Sequence, residues 1–84
     1  MSIEENQAIL SSISSPDPEV NVAAVKANQY TAMCKAGQIS GAELIELLQD
    51  IQRTAAIDQT MNDLHSLEML NVAINALVTI AQAV

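Results

Sequence analysis

Apolar residues along the chain recur at helical intervals, and a few prolines and glycines (Pro16, Pro18, Gly37 and Gly41) punctuate them. In "SIEENQAILSSI", Ile3, Leu10 and Ile13 share a face with Ile9 beside it, which predicts a short amphipathic helix over 3–13. Ser2 and Glu5 have the spacing of a capping box. After "SSPDP", Asp17 suits an N-cap with Pro18 at the first helical position, and the second helix is expected over 18–36. Its polar stripe is narrow, Asn21, Asn28, Thr31 and Lys35, with Ala24 in the same rhythm. Val20, Ala23, Ala27, Tyr30 and Cys34 flank it on one side, and Val22, Val25, Met33 and Ala36 on the other. Apolar cover over most of the circumference marks a helix that is central or shared between chains. Gly37 is placed to end it in the left-handed conformation.

"ISGAEL" is the sharpest local signal. Ser40 and Glu43 form a second capping box, and Ile39 and Leu44 occupy the two positions of a hydrophobic staple. The helix opened there, over 41–57, is amphipathic. Leu44, Leu47, Leu48, Ile51 and Ala55 point inward, while Glu43, Glu46, Gln49, Asp50 and Arg53 point to water. A short connection to the preceding helix implies an antiparallel hairpin.

From 42 to 84 there is neither Gly nor Pro, so one long bent helix is an alternative. The phase of the apolar pattern changes, however. Ile57, Met61 and Leu64 fall opposite Leu44, Leu48 and Ile51. A new stripe then begins, Leu67, Leu70, Ile74, Leu77, Ala81 and Val84, at the spacing of a coiled-coil seam. This predicts a break within 56–62, capped by Thr60, Asn62 or Asp63, and a fourth helix over 61–83. The expected fold is all-α: a single domain, 1–84, as a small bundle of four helices.

The end of the chain, "MLNVAINALVTIAQAV", carries no charge in a protein of formal net charge −7. It falls short of the roughly 20 apolar residues that cross a bilayer. Asn71, Asn75, Thr79 and Gln82 also recur along one side, as on a water-facing strip. The remaining circumference, which adds Met69, Val72, Ala73, Ala76 and Ile80 to the seam, is more apolar surface than a small bundle is expected to cover. The expectation is therefore that Leu67, Leu70, Ile74, Leu77, Ala81 and Val84 form an inter-chain seam in a homodimer or higher oligomer.

Composition narrows the functional classes. Ten acidic residues against Lys26, Lys35 and Arg53 leave too little positive charge for nucleic acid or for an anionic membrane. Tyr30 is the only aromatic residue, so the flat side chains that dominate ligand pockets are missing. "MSIEENQ" lacks the basic and apolar regions of a signal peptide, and Cys34 has no partner for an internal disulfide. Both point to the cytoplasm.

Candidate chemistry is thin. His65, with Asp63 and Glu68 nearby, reads as a solvated helix face, because no zinc-ligand spacing accompanies it. Cys34 reads as a small buried hydrophobe. Glu43, Glu46 and Asp50 read as a solvated face, and Met33, Met61 and Met69 as filler. No catalytic residue, cofactor site or metal site is assigned.

"SSPDPEVNVAAVKANQY" resembles the hairpin turn of secretion-needle subunits. The later capped hairpin and the apolar C-terminal stretch depart from that pattern. An acidic helical chain almost free of aromatic residues also has the texture of phage accessory proteins. The function expected is a non-catalytic association module that self-assembles through its C-terminal helix. The alternative is a small assembly factor or chaperone that shields an apolar helix of a protein partner.

Overall fold

A computed structural model describes residues 2–16, 18–57 and 64–83. Four helices follow in order, α1 Ile3–Ser12, α2 Pro18–Lys35, α3 Gly41–Ile57 and α4 Leu64–Gln82, and no strand occurs among the described residues. This is the small all-α bundle that the pattern predicts. The expected cap at Asp17, the break with its caps at Thr60, Asn62 or Asp63, and Met61 and Val84 lie outside the described residues.

Local signals set the helix ends. Ser2 caps α1, its Oγ accepting the Glu5 amide at 3.1 Å. Asn6 adds a further bond at this end, its side-chain amide donating to the Ser2 carbonyl at 2.8 Å. Between α1 and α2, Asn21 acts as a clamp. Its Oδ1 accepts the Ser15 amide at 2.9 Å and its Nδ2 donates to the Ser15 carbonyl at 2.8 Å, so one side chain satisfies both backbone groups of a loop residue.

The α2–α3 connection is also held by its own bonds. Gly37 sits at φ +79°, its amide donates to the Cys34 carbonyl at 3.0 Å, and the Gln38 amide donates to the Met33 carbonyl at 2.9 Å. That pair of bonds is a Schellman motif. Two residues on, the Glu43 amide donates to Ser40 Oγ at 3.1 Å and the Ser40 amide to Glu43 Oε1 at 3.3 Å, a complete capping box.

α3 and α4 are separate antiparallel helices. Gln52 Nε2 donates to Asn75 Oδ1 at 2.8 Å. In one continuous helix those residues would lie about 35 Å apart. At the other end, a Cβ added to Gly41 would stand 3.2 Å from the Ala81 carbonyl oxygen. The molecule measures 35 × 22 × 18 Å, shorter than the roughly 65 Å of an unbroken helix over 42–84. The long bent helix is thereby excluded.

Leu10, Ala24, Ala27, Leu44, Leu48, Leu70, Ala73, Ile74 and Leu77 form the core, with Val20 in a satellite that Ile13 and Leu67 cover. No Phe or Trp takes part, and Tyr30 packs half-buried against the core. The radius of gyration is 12.0 Å, the value of about 12 Å expected for a compact chain of this length.

Candidate functional site

The C-terminal stripe is the first place to look for a functional surface, and the structure turns it inward. Leu70 and Ile74 are 0% exposed and Leu77 is 1% exposed within the single chain. Leu67 and Ala81 pack partly buried against the same core. The seam expected between chains is therefore an intra-chain one. The spacing of a coiled-coil seam is also the spacing by which a helix packs inside a bundle, so the pattern alone does not say which chain supplies the other side. The water-facing strip does emerge, with Asn75, Thr79 and Gln82 exposed and Asn71 half-buried.

α2 differs from the expectation in the opposite sense. The buried stripe, Val20, Ala24, Ala27 and Thr31, takes Val20 and Ala27 from the first apolar side and Ala24 and Thr31 from the stripe read as polar, of which Asn21 and Asn28 are half-buried and Lys35 is exposed. Thr31 tolerates burial because its Oγ1 donates to the Ala27 carbonyl at 2.7 Å. Tyr30 and Cys34 stay at the edge of the core. The second apolar side then faces solvent, with Val22 51% and Val25 56% exposed, and Ala32 and Ala36 exposed beyond them. On α4, Val72 is a third outward valine at 55%.

Beside Val25 runs an open groove between α1 and α2, about 340 Å³ in volume. Leu10, Ile13 and Ala24 form its floor, and Asn21, Asn28 and Gln29 its polar side. Asn28 crosses the helix pair, its Nδ2 donating to Ser11 Oγ at 2.9 Å and to the Gln7 carbonyl at 3.2 Å. The Oδ1 atoms of Asn28 and of fully buried Asn6 have no hydrogen-bond partner among the described residues. Buried Asn6 and Ser66 were not foreseen. Each stands next to charged or polar neighbours in sequence, which conceals a core position.

The other residues singled out in the sequence do not converge. His65 is exposed at the start of α4. Cys34 lies near the end of α2 and hence at the opposite end of the bundle, where α3 begins and α4 finishes. The separation from His65 to Ala81 along α4 alone is about 24 Å. Glu43, Glu46 and Asp50 are exposed on α3, where Arg53 reaches Asp50 at 3.4 Å. No group of His, Cys, Asp or Glu among the described residues could hold a metal ion.

The Glu4 carboxyl is perturbed by its surroundings. Glu4 lies in the first turn of α1. Its own backbone amide, and then the Lys35 ammonium 3.1 Å away, hold it below the ordinary carboxylate range. The pair ties α1 to the last turn of α2. Both side chains are substantially exposed, so it positions the helices more than it stabilises them.

Among the described residues, no helix is long and apolar enough to cross a membrane. No family model matches the chain, and no curated protein or solved structure matches it.

Proposed function

We propose that the protein is a non-catalytic association module and that its partner is a second copy of itself. The observation that supports this is the pair Val22 and Val25, each more than half exposed on the outside of a bundle whose core is already filled by Leu, Ile and Ala. Isolated outward apolar residues are ordinary on any surface. Two valines one turn apart on a helix, followed by alanines on the same face, form a stripe. Burial of Leu70, Ile74 and Leu77 leaves the α4 stripe first expected to carry self-assembly inside the chain, which supports a surface elsewhere.

The measurement is solution mass as a function of concentration, by sedimentation or light scattering from the micromolar to the millimolar range. The reading expects a reversible rise toward twice the chain mass. A mass that stays monomeric throughout would overturn it and favour the partner-shielding alternative, for which the groove between α1 and α2 is the natural seat.

A further inference from the structure

The buried side-chain atoms without a hydrogen-bond partner among the described residues are Asn6 Oδ1 and Asn28 Oδ1. Both belong to one contact, the docking of α1. Asn6 is 0% exposed on α1, and Asn28 reaches from α2 to the Gln7 carbonyl and Ser11 Oγ. A buried oxygen without a donor forfeits the bonds it makes to water in the open chain, so each of the two favours the undocked state.

The rest of this contact is thin. α1 supplies Leu10 to the buried core, and the other core residues come from α2, α3 and α4. Ile3, Ile9 and Ile13 add partial cover. Among the described residues α1 packs on α2 and α4 and not on α3. The Glu4–Lys35 pair that ties it to α2 is solvent-exposed and adds little. By contrast, α2, α3 and α4 each pack on the other two, and a Schellman motif and a capping box close the α2–α3 turn. The start of α2 is independent of α1 as well. Pro16 and Pro18 keep a helix from running through the connection, and Asn21 holds both backbone groups of Ser15 to α2. The chain before Ser15 can therefore leave while α2 keeps its first turn.

We propose that α1 is a strap that opens as a unit at Ile13–Ser14 while α2, α3 and α4 stay folded, presenting apolar surface that the closed bundle hides. Its 10 residues are too few for a stable helix in isolation, so the open strap loses its helical bonds. Opening uncovers Val20, 0% exposed beneath Ile13 and Leu67, and Ala24, which shares the groove floor with Leu10. Such opening needs no second copy, so it stands whether or not the chain self-associates.

Hydrogen exchange followed by NMR tests the strap on the full chain. The amides of residues 7–12 should share one opening equilibrium, at least about ten-fold more populated than that of Leu48 and Ile74. Its dependence on urea should be shallower, because less surface is exposed. Ser40→Ala weakens the cap of α3, on which α1 does not pack. It should speed exchange at Leu48 and Ile74 several-fold and leave residues 7–12 unchanged. Asn6→Leu replaces an unpaired oxygen with an apolar group and should slow exchange over residues 7–12 about ten-fold. Exchange of residues 7–12 that follows Leu48 and Ile74 in urea, or in Ser40→Ala, means that α1 opens only with the whole bundle and overturns the strap. Protection that climbs gradually from residue 7 to residue 12 is fraying from the chain end and overturns it too. So does faster exchange in Asn6→Leu, the sign that a buried water satisfies Asn6 Oδ1 and that this side chain holds α1 down.

Discussion

Leu77 decides whether the C-terminal stripe is core or interface. It is 1% exposed in the single chain, among Leu44, Leu48, Leu70, Ala73 and Ile74. Truncation to Ala should cost about 2–5 kcal/mol, from lost burial and the cavity left behind. Leu77→Asp removes the same contacts and adds a carboxylate with no partner, a further several kcal/mol. At roughly 0.05–0.15 kcal/mol per residue, a chain of 84 residues has about 4–13 kcal/mol of stability, so Leu77→Asp should be largely unfolded at neutral pH. Burial raises the folded-state pKa of that new carboxyl. Any residual stability is therefore greatest in acid and is lost as pH rises through the raised value. Thr79→Asp, two residues away and exposed, should stay within about 0.5 kcal/mol of the parent. Urea denaturation followed by circular dichroism, with light scattering on the same samples, reads all three. A Leu77→Asp protein that keeps a cooperative transition near the parent's and changes only its mass would refute the placement of this residue in the core.

Other expectations are more local. Gly37→Val should destabilise by at least about 1–2 kcal/mol, because φ is +79° there, and open space around the position means that the cost is conformational, not steric, visible as a lower urea midpoint. Ser40→Ala should cost about 0.5–2 kcal/mol in the same assay, since it strips the N-cap of α3. In an NMR titration the Glu4 carboxyl should protonate below the ordinary range, and Lys35→Met should move it up toward that range. Because the Glu4 pKa is lowered by folding, its contribution is present above the unfolded-state value and fades as pH falls through the folded one. A titration unchanged by Lys35→Met would refute the pairing.

Much of the bundle was readable because its boundaries rest on local chemistry. Gly37, Ser40 with Glu43, and Pro18 act within a turn of themselves, and each sits where its neighbours in sequence put it. The face of α3 was legible for a related reason, since Glu43, Glu46, Gln49, Asp50 and Arg53 mark a wide polar side. α2 and α4 were harder. Their apolar residues cover most of the circumference, so periodicity offers two candidate stripes and no ranking between them. Packing made the choice: α2 turned Ala24 and Thr31 inward and left Val22 and Val25 out, while α4 committed Leu70, Ile74 and Leu77 to the core. Small Ala24 and Ala27, and Thr31 with its hydroxyl satisfied by its own helix, let α2 sit close to its neighbours. The α4 seam was read as facing another chain for that reason and not for want of an apolar signal.

The aliphatic composition of the core also determines how the protein can be watched. With no Trp and no Phe, Tyr30 is the sole aromatic chromophore, and its ring rests half-buried against the core from the middle of α2. Its fluorescence is a single-site gauge, free of energy transfer to other rings, placed on the helix that buries one stripe and leaves Val22 and Val25 on its outer face. Loosening of the inner stripe should change that emission, whereas events confined to the outer stripe should leave it nearly constant. Opening of the bundle can therefore be told apart optically, in the unlabelled protein, from any event confined to the outer face of α2.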